Sequence, residues 1–312
     1  MKISHAFLLT VGLSTLTTSC SASNSGDTQY KVTVQQLRQE NYSNLRACEH
    51  FFRQRGADSL WEQLTKVGED SRYLKFDAIP IKSQKIIAQA TIGYLAGNNI
   101  SIIRLVMSKG DFTKLPKELG ALTSLQFLTL NDNQLTELPE SLGALTNLQW
   151  LYPPNNKLKQ LPESFGALTN LQSLYLSYNL LESLPESFGA LTSLLELYLD
   201  NNQLQKLPKS FGALTSLLEL YLDNNQLTEL PKSLGALTNL QALSLSNNQL
   251  TELPESLRAL TSLQWLDLSD NLPKSLPESL GKLTNLQWLD LSDNLLESLP
   301  ERLGALTSLL EL

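Results

Sequence analysis

The sequence predicts an α/β solenoid, with a curved parallel sheet on its concave side, short helices or tight 3-10 turns on its convex side, and a small helical cap in front. Three observations carry this expectation. Starting at Ile102, a leucine recurs every 23 residues, at 125, 148, 171, 194, 217, 240, 263, 286 and 309. Each period opens on an alternating "LxLxxN", which describes a strand with its leucines on one face. Each closes on a proline followed by stretches such as "SLGAL", whose leucines fit one turn of a short helix or 3-10 segment. A unit of that size cannot bury its own leucines, whereas stacked neighbours can.

The first element is a targeting segment. "MKISHAFLLTVGLSTLTTSC" has an early Lys2, an apolar run from Ala6 to Leu16, and small residues before Cys20. The run is shorter than the roughly 20 residues that a membrane-spanning helix needs, so it reads as a signal peptide, 1–20. "SASNSGDTQ" continues it as a polar, flexible tether, 21–31.

A helical capping region is expected over 32–100. Val34, Leu37, Leu45, Cys48 and Phe52 fall at helical spacing before Gly56. "SLWE" at Ser59–Glu62 is a capping box for a short helix through Val67. A third helix is expected from about Ile81 to Leu95, with Pro80 at its start and Gly97 past its end. "CEH" at Cys48–His50 sets a thiol beside an imidazole, but residues two apart on a helix face different ways, which argues against a catalytic pair.

The array occupies 101–312, with nine complete repeats and a truncated tenth. Strands stacked at about 4.8 Å give an inner arc of roughly 45 Å. The Asn at 133, 156, 179, 202, 225, 248, 271 and 294 suits a buried corner, where its amide satisfies backbone groups left open by the turn. Three departures stand out. Gly110 replaces that Asn in the first repeat, and Pro153, followed by Pro154, sits where a strand leucine belongs. Proline has no N–H for the ladder, so that strand is expected to lose pairing on one side or to shift. Pro273 replaces a turn leucine, where less consequence is expected. The chain breaks off on "ALTSLLEL", inside a strand. Leu289 and Leu291 are therefore expected to be poorly covered, with end-to-end self-association of two chains as one way to cover them.

The period LxxLxLxxNxLxxLPxxLGxLTx resembles the leucine-rich repeat family in its 23-residue form, over about two thirds of the chain. The resemblance implies an asparagine ladder of structural role and a non-catalytic binding surface on the strand side. The N-terminus is similar to a bacterial lipoprotein signal. "TTSC" carries a small residue before the cysteine, although Thr17 stands where a leucine is usual. That resemblance implies lipid on Cys20 and a place in the cell envelope, with simple secretion as the alternative.

On the strand side the third, fifth, seventh and eighth positions point outward in this register. The fifth position holds Tyr152, Tyr175, Tyr198 and Tyr221 in consecutive repeats, then Asp267 and Asp290 after a serine; the third holds Trp150, Glu196, Glu219, Trp265 and Trp288. Asp200 and Asp223 occupy the seventh. Aromatics framed by acids describe a recognition surface for a protein or peptide with a basic segment. Tyrosine is also a good strand residue, and duplication copies it: "FGALTSLLELYLDNNQL" occurs at both Phe188–Leu204 and Phe211–Leu227. A structural or self-associating envelope protein without a dedicated ligand is the competing expectation.

Charge and composition narrow the function classes. Residues 21–100 carry ten Lys/Arg against eight Asp/Glu, whereas 101–312 carry thirteen against twenty-three. An acidic array is a poor partner for nucleic acid or for an anionic membrane surface, so a membrane is expected only through a lipid anchor. Two histidines and two cysteines leave little for metal or thiol chemistry. "DLSDN" at Asp267–Asn271 and Asp290–Asn294 lacks the extra oxygens of a calcium loop. No cofactor and no catalytic constellation are expected.

Overall fold

The computed structural model describes residues 73–75, 92 and 101–311. The targeting segment, the tether, Cys20 and the expected helices at 32–56, 59–67 and 81–95 lie outside them, except for Ile92, which is helical and fully buried in the core.

The described chain forms a ten-stranded parallel sheet in strict sequence order. Its strands are β1 (Tyr73–Lys75), β2 (Arg104–Val106), β3 (Phe127–Thr129), β4 (Trp150–Tyr152), β5 (Ser173–Tyr175), β6 (Glu196–Tyr198), β7 (Glu219–Tyr221), β8 (Ala242–Ser244), β9 (Trp265–Asp267) and β10 (Trp288–Asp290). From β2 onward paired residues lie 23 positions apart, so the sequence period is the sheet register. β1 was not expected. A strand inside 32–100 pairs with β2, because the first strand of an open sheet otherwise presents a bare row of N–H and C=O groups.

The other side of each repeat is a five-residue 3-10 turn, such as Lys209–Ala213. A proline at its N-cap fixes the entry, with φ near −64° at Pro208. A Leu or Phe in the middle of the turn points inward, and Phe165, Phe188 and Phe211 are fully buried in a stacked row. The residue after it is glycine in every described turn except Glu255–Ala259, where Arg258 stands, and the next repeat packs closely against the glycines it follows. A Cβ on Gly212 would lie 2.3 Å from the carbonyl oxygen of Ser233 in the next repeat.

Between the two sides runs the asparagine ladder. Asn202 Nδ2 donates to the carbonyls of Leu176 and Leu199 at 3.0 Å, and its Oδ1 accepts from the N–H of Leu181. The same three bonds recur at Asn156, Asn179, Asn225, Asn248 and Asn271, which confirms a structural role. Where Gly110 replaces the first Asn, its own N–H donates to Asn133 Oδ1 at 2.8 Å.

The two proline departures act through their missing N–H groups. Leu130, Leu176 and Leu199 donate from the sixth repeat position to the strand ahead, at 2.7–2.8 Å. Pro153 holds that position after β4 and cannot donate. β4 keeps three register pairs with β3 but only two with β5, as expected. The expectation for Pro273 needs correction. By the ladder rule it should donate to Asn294 Oδ1, and that buried oxygen is left without a partner.

Leu289 also departs from expectation, being 1% exposed. Its N–H reaches the Glu311 carbonyl at 3.2 Å, and Leu310 N–H reaches Gln287 O at 2.8 Å, so the incomplete tenth repeat begins a strand that covers it. Leu291 is half-buried, while Leu295, Leu299 and Leu310 are exposed.

Candidate functional site

The pleat turns every second strand residue away from the core. Leu174, Leu197, Leu220, Leu243 and Leu266 are buried, whereas Tyr175, Glu196, Tyr198, Glu219, Tyr221, Trp265 and Asp267 are half-exposed on the other face. All thirteen predicted strand-face residues are therefore surface-facing, and the register brings them into one field.

Within that field the aromatics join into a single track. Tyr175, Tyr198 and Tyr221 stack at 4.5 and 4.6 Å between ring centroids, tilted by 10° and 13°. The distance matches the spacing of neighbouring strands, so one backbone step brings each ring into contact with the next. Trp150 reaches diagonally over Ser173 to stack on Tyr175 at 5.2 Å, and Tyr152 leans on the same ring at 5.1 Å. Trp265 and Trp288 stack at 4.7 Å. The sequence separates these tryptophans from the tyrosines by β8, which contributes only Ala242 and Ser244. The structure closes that gap. Tyr221 and Trp265 meet across β8 at 6.2 Å, and Ser244 beneath them is 3% exposed. Small residues at Ser173, Ala242 and Ser244 thus make two clusters continuous.

Carboxylates are tied into the track. Tyr175 Oη donates to Glu196 Oε2 at 2.7 Å, and Tyr198 Oη to Glu219 Oε2 at 2.9 Å. Burial pushes both phenols up from their ordinary range, and the bonded glutamates push them further. Tyr221 is also raised, by burial and then by Glu219, Asp223 and Glu196, although β8 offers it no glutamate to bond. All three remain protonated at any physiological pH. Asp200 accepts from Ser177 Oγ and from Asn201 Nδ2. Burial, and then the neighbouring Asp200, raises the Asp223 carboxyl against the bonds it accepts. Asp267 and Asp290 each hold the N–H and hydroxyl of the serine two residues on, with the shorter bonds at 2.7 and 2.6 Å. Among the described residues, no lysine or arginine forms an ion pair with any of these six acids.

The "DLSDN" aspartates are therefore turn-forming groups. Among the described residues no three His, Cys, Asp or Glu side chains group as a metal site, and no helix is long and apolar enough to cross a membrane.

One residue escaped the sequence reading. The eighth repeat position has positive φ from Lys109 to Asp293, and seven of its nine occupants are Asn or Asp, which tolerate that backbone. Tyr178 sits there at φ 55°, with 57% of its surface exposed. The odd letter in an Asn/Asp column was the available signal.

The family model described as "Leucine-rich repeat region" matches residues 97–178, 153–245 and 230–312. The chain belongs to the leucine-rich repeat proteins. A search of curated proteins gave no match. Among solved structures it is similar to a leucine-rich repeat protein of Leptospira interrogans, with 32% identity, 70% of this chain and 73% of that one covered, and a TM-score of 0.42. It is also similar to the ectodomain of the membrane receptor kinase GASSHO1/SCHENGEN3 from Arabidopsis thaliana, in complex with CASPARIAN STRIP INTEGRITY FACTOR 2. That match has 31% identity, covers 72% of this chain and 33% of that one, and has a TM-score of 0.53. A third match is the plant peptide hormone receptor RGFR1 in complex with RGF2, with 27% identity, 72% and 40% covered, and a TM-score of 0.56. The chain spans less than half the length of either plant receptor chain.

Proposed function

We propose that this chain is a non-catalytic protein- or peptide-binding module of the bacterial cell envelope, which takes a basic segment of its partner on the strand face. The observation that carries this is the continuous aromatic track flanked by six carboxylates that, among the described residues, have no ion-pair partner. Aromatic side chains supply contact area at low entropic cost, and unneutralised acids favour a cationic partner while repelling an anionic one. Two of the similar structures are leucine-rich repeat receptors solved with a partner, which agrees with this reading.

The test keeps the shape and removes the charge. Glu196→Gln, Glu219→Gln, Asp200→Asn and Asp223→Asn together should weaken binding of a fluorescent peptide of alternating glycine and arginine at least about tenfold, and flatten its salt dependence. The control neutralises four glutamates in the 3-10 turns, Glu163, Glu186, Glu255 and Glu278, for the same change in net charge. Equal losses in both variants would show non-specific attraction and defeat the reading.

The place in the envelope is supported by the lipobox-like "TTSC". Cys20→Ser should move the protein from the membrane fraction to the soluble one. A wild-type protein already soluble, with its N-terminus beyond Cys20, refutes lipidation.

A further inference from the structure

We infer that Tyr178 is a specificity residue of this surface, receiving an arginine or lysine side chain of the bound segment against its ring, with Asp200 supplying the counter-charge. The inference rests on the strand-face reading and adds a residue outside the track.

Three observations carry it. The first is conformational. Tyr178 holds φ 55°, a region in which a bulky side chain crowds the following carbonyl. Asn155 and Asn201, at the same position one repeat before and after, adopt the same φ with a side chain suited to it. The backbone is fixed from outside the residue. Tyr178 N–H donates to Asp200 O at 3.0 Å, and its carbonyl accepts from Asn156 N–H at 3.2 Å. The strain is therefore imposed by the repeat, and the choice of tyrosine adds to it.

The second is exposure. Tyr178 is 57% exposed, and among the described residues no aromatic ring stacks on it. Tyr175, Tyr198 and Tyr221 differ in this respect. Trp150 and Tyr198 stack on the two sides of Tyr175, Tyr175 and Tyr221 on the two sides of Tyr198, and Tyr198 on one side of Tyr221, so the middle of the track offers a cation mainly ring edges and hydroxyls. Tyr178, at the strand exit, is largely exposed and, among the described residues, has no ring stacked against it.

The third is electrostatic. Asp200 follows in the next repeat, joined to Tyr178 by that backbone bond, and its side chain accepts from Ser177 Oγ and from Asn201 Nδ2. Asp223 stands one repeat further along the same row. A cation resting on the Tyr178 ring therefore meets a fixed carboxylate beside it, combining cation–π attraction with charge pairing. Neither an anionic nor an apolar side chain gains both.

Fluorescence anisotropy with two labelled peptides tests this, one alternating glycine with arginine and one with the uncharged isostere citrulline in place of arginine. Tyr178→Asn should weaken the arginine peptide about five- to thirtyfold while leaving the citrulline peptide unchanged, and Tyr178→Phe should retain binding. The same Tyr178→Asn change should raise the melting temperature by about 2–4 °C, because the strain is relieved. Loss of binding together with a gain in stability is an outcome that a purely structural tyrosine does not give. An arginine peptide that binds Tyr178→Asn as tightly as wild type overturns this assignment alone. Wild-type protein that binds neither peptide overturns both the strand-face reading and the assignment.

Discussion

At the scale of single residues, the molecule is governed by which backbone groups find partners. The ladder asparagines satisfy three buried groups each, and the ladder fails where a proline removes a donor. Asn294 Oδ1 is the case with a measurable cost. A buried acceptor without a partner costs about 1–3 kcal/mol. Pro273→Leu supplies the missing N–H at the position where Leu250 donates to Asn271 Oδ1 at 3.0 Å. The change also loosens the unfolded chain, at a cost of about 0.4–1 kcal/mol. The hydrogen bond is the larger effect, so Pro273→Leu should stabilise by about 1 kcal/mol in denaturant titration. An unchanged or lower midpoint would mean that the oxygen is already solvated.

At the scale of elements, strand, corner and turn were each legible, because each has its own pattern. "LxLxxN" alternates and formed three-residue strands in the expected register. "LPxxLGxL" formed 3-10 turns because five residues bounded by proline leave no room for a longer helix, and the glycine admits the next repeat's serine backbone. Less legible was anything depending on two elements at once. The tyrosine ladder could be read from one column of the repeat. Its junction with Trp265 could not, since it depends on two aromatics at different repeat positions leaning over Ala242 and Ser244 between them. Nor could the orphaned Asn294, whose missing partner lies 21 residues earlier. β1 was hidden for a related reason. "YLK" is too short to show a period, and it becomes a strand because β2 offers it an edge.

At the scale of the whole molecule, stability should be a sum over repeats and their interfaces. The duplication permits a strict test. Residues 188–204 and 211–227 are identical, so deleting 194–216 joins Ser193 to Leu217 within a local sequence that already exists. In the shortened chain Tyr175 meets Tyr221 as it now meets Tyr198, and Glu219 takes the place of Glu196 as acceptor of the Tyr175 hydroxyl. Phe188 meets Leu234, a contact of the kind Phe211 now makes with the repeat after it. No new type of neighbour arises. The shortened protein should fold, unfold in one transition, and show a denaturant m-value lower by about a tenth, in proportion to the surface removed. Its aromatic track stays continuous with one ring fewer, so the arginine peptide should bind more weakly without losing its salt dependence. Deleting eleven residues, 194–204, removes the strand and corner but keeps the turn, shifts the register against both neighbours, and should abolish folding. If the 23-residue deletion also fails to fold, the repeats are not interchangeable units, and the array depends on contacts beyond nearest neighbours.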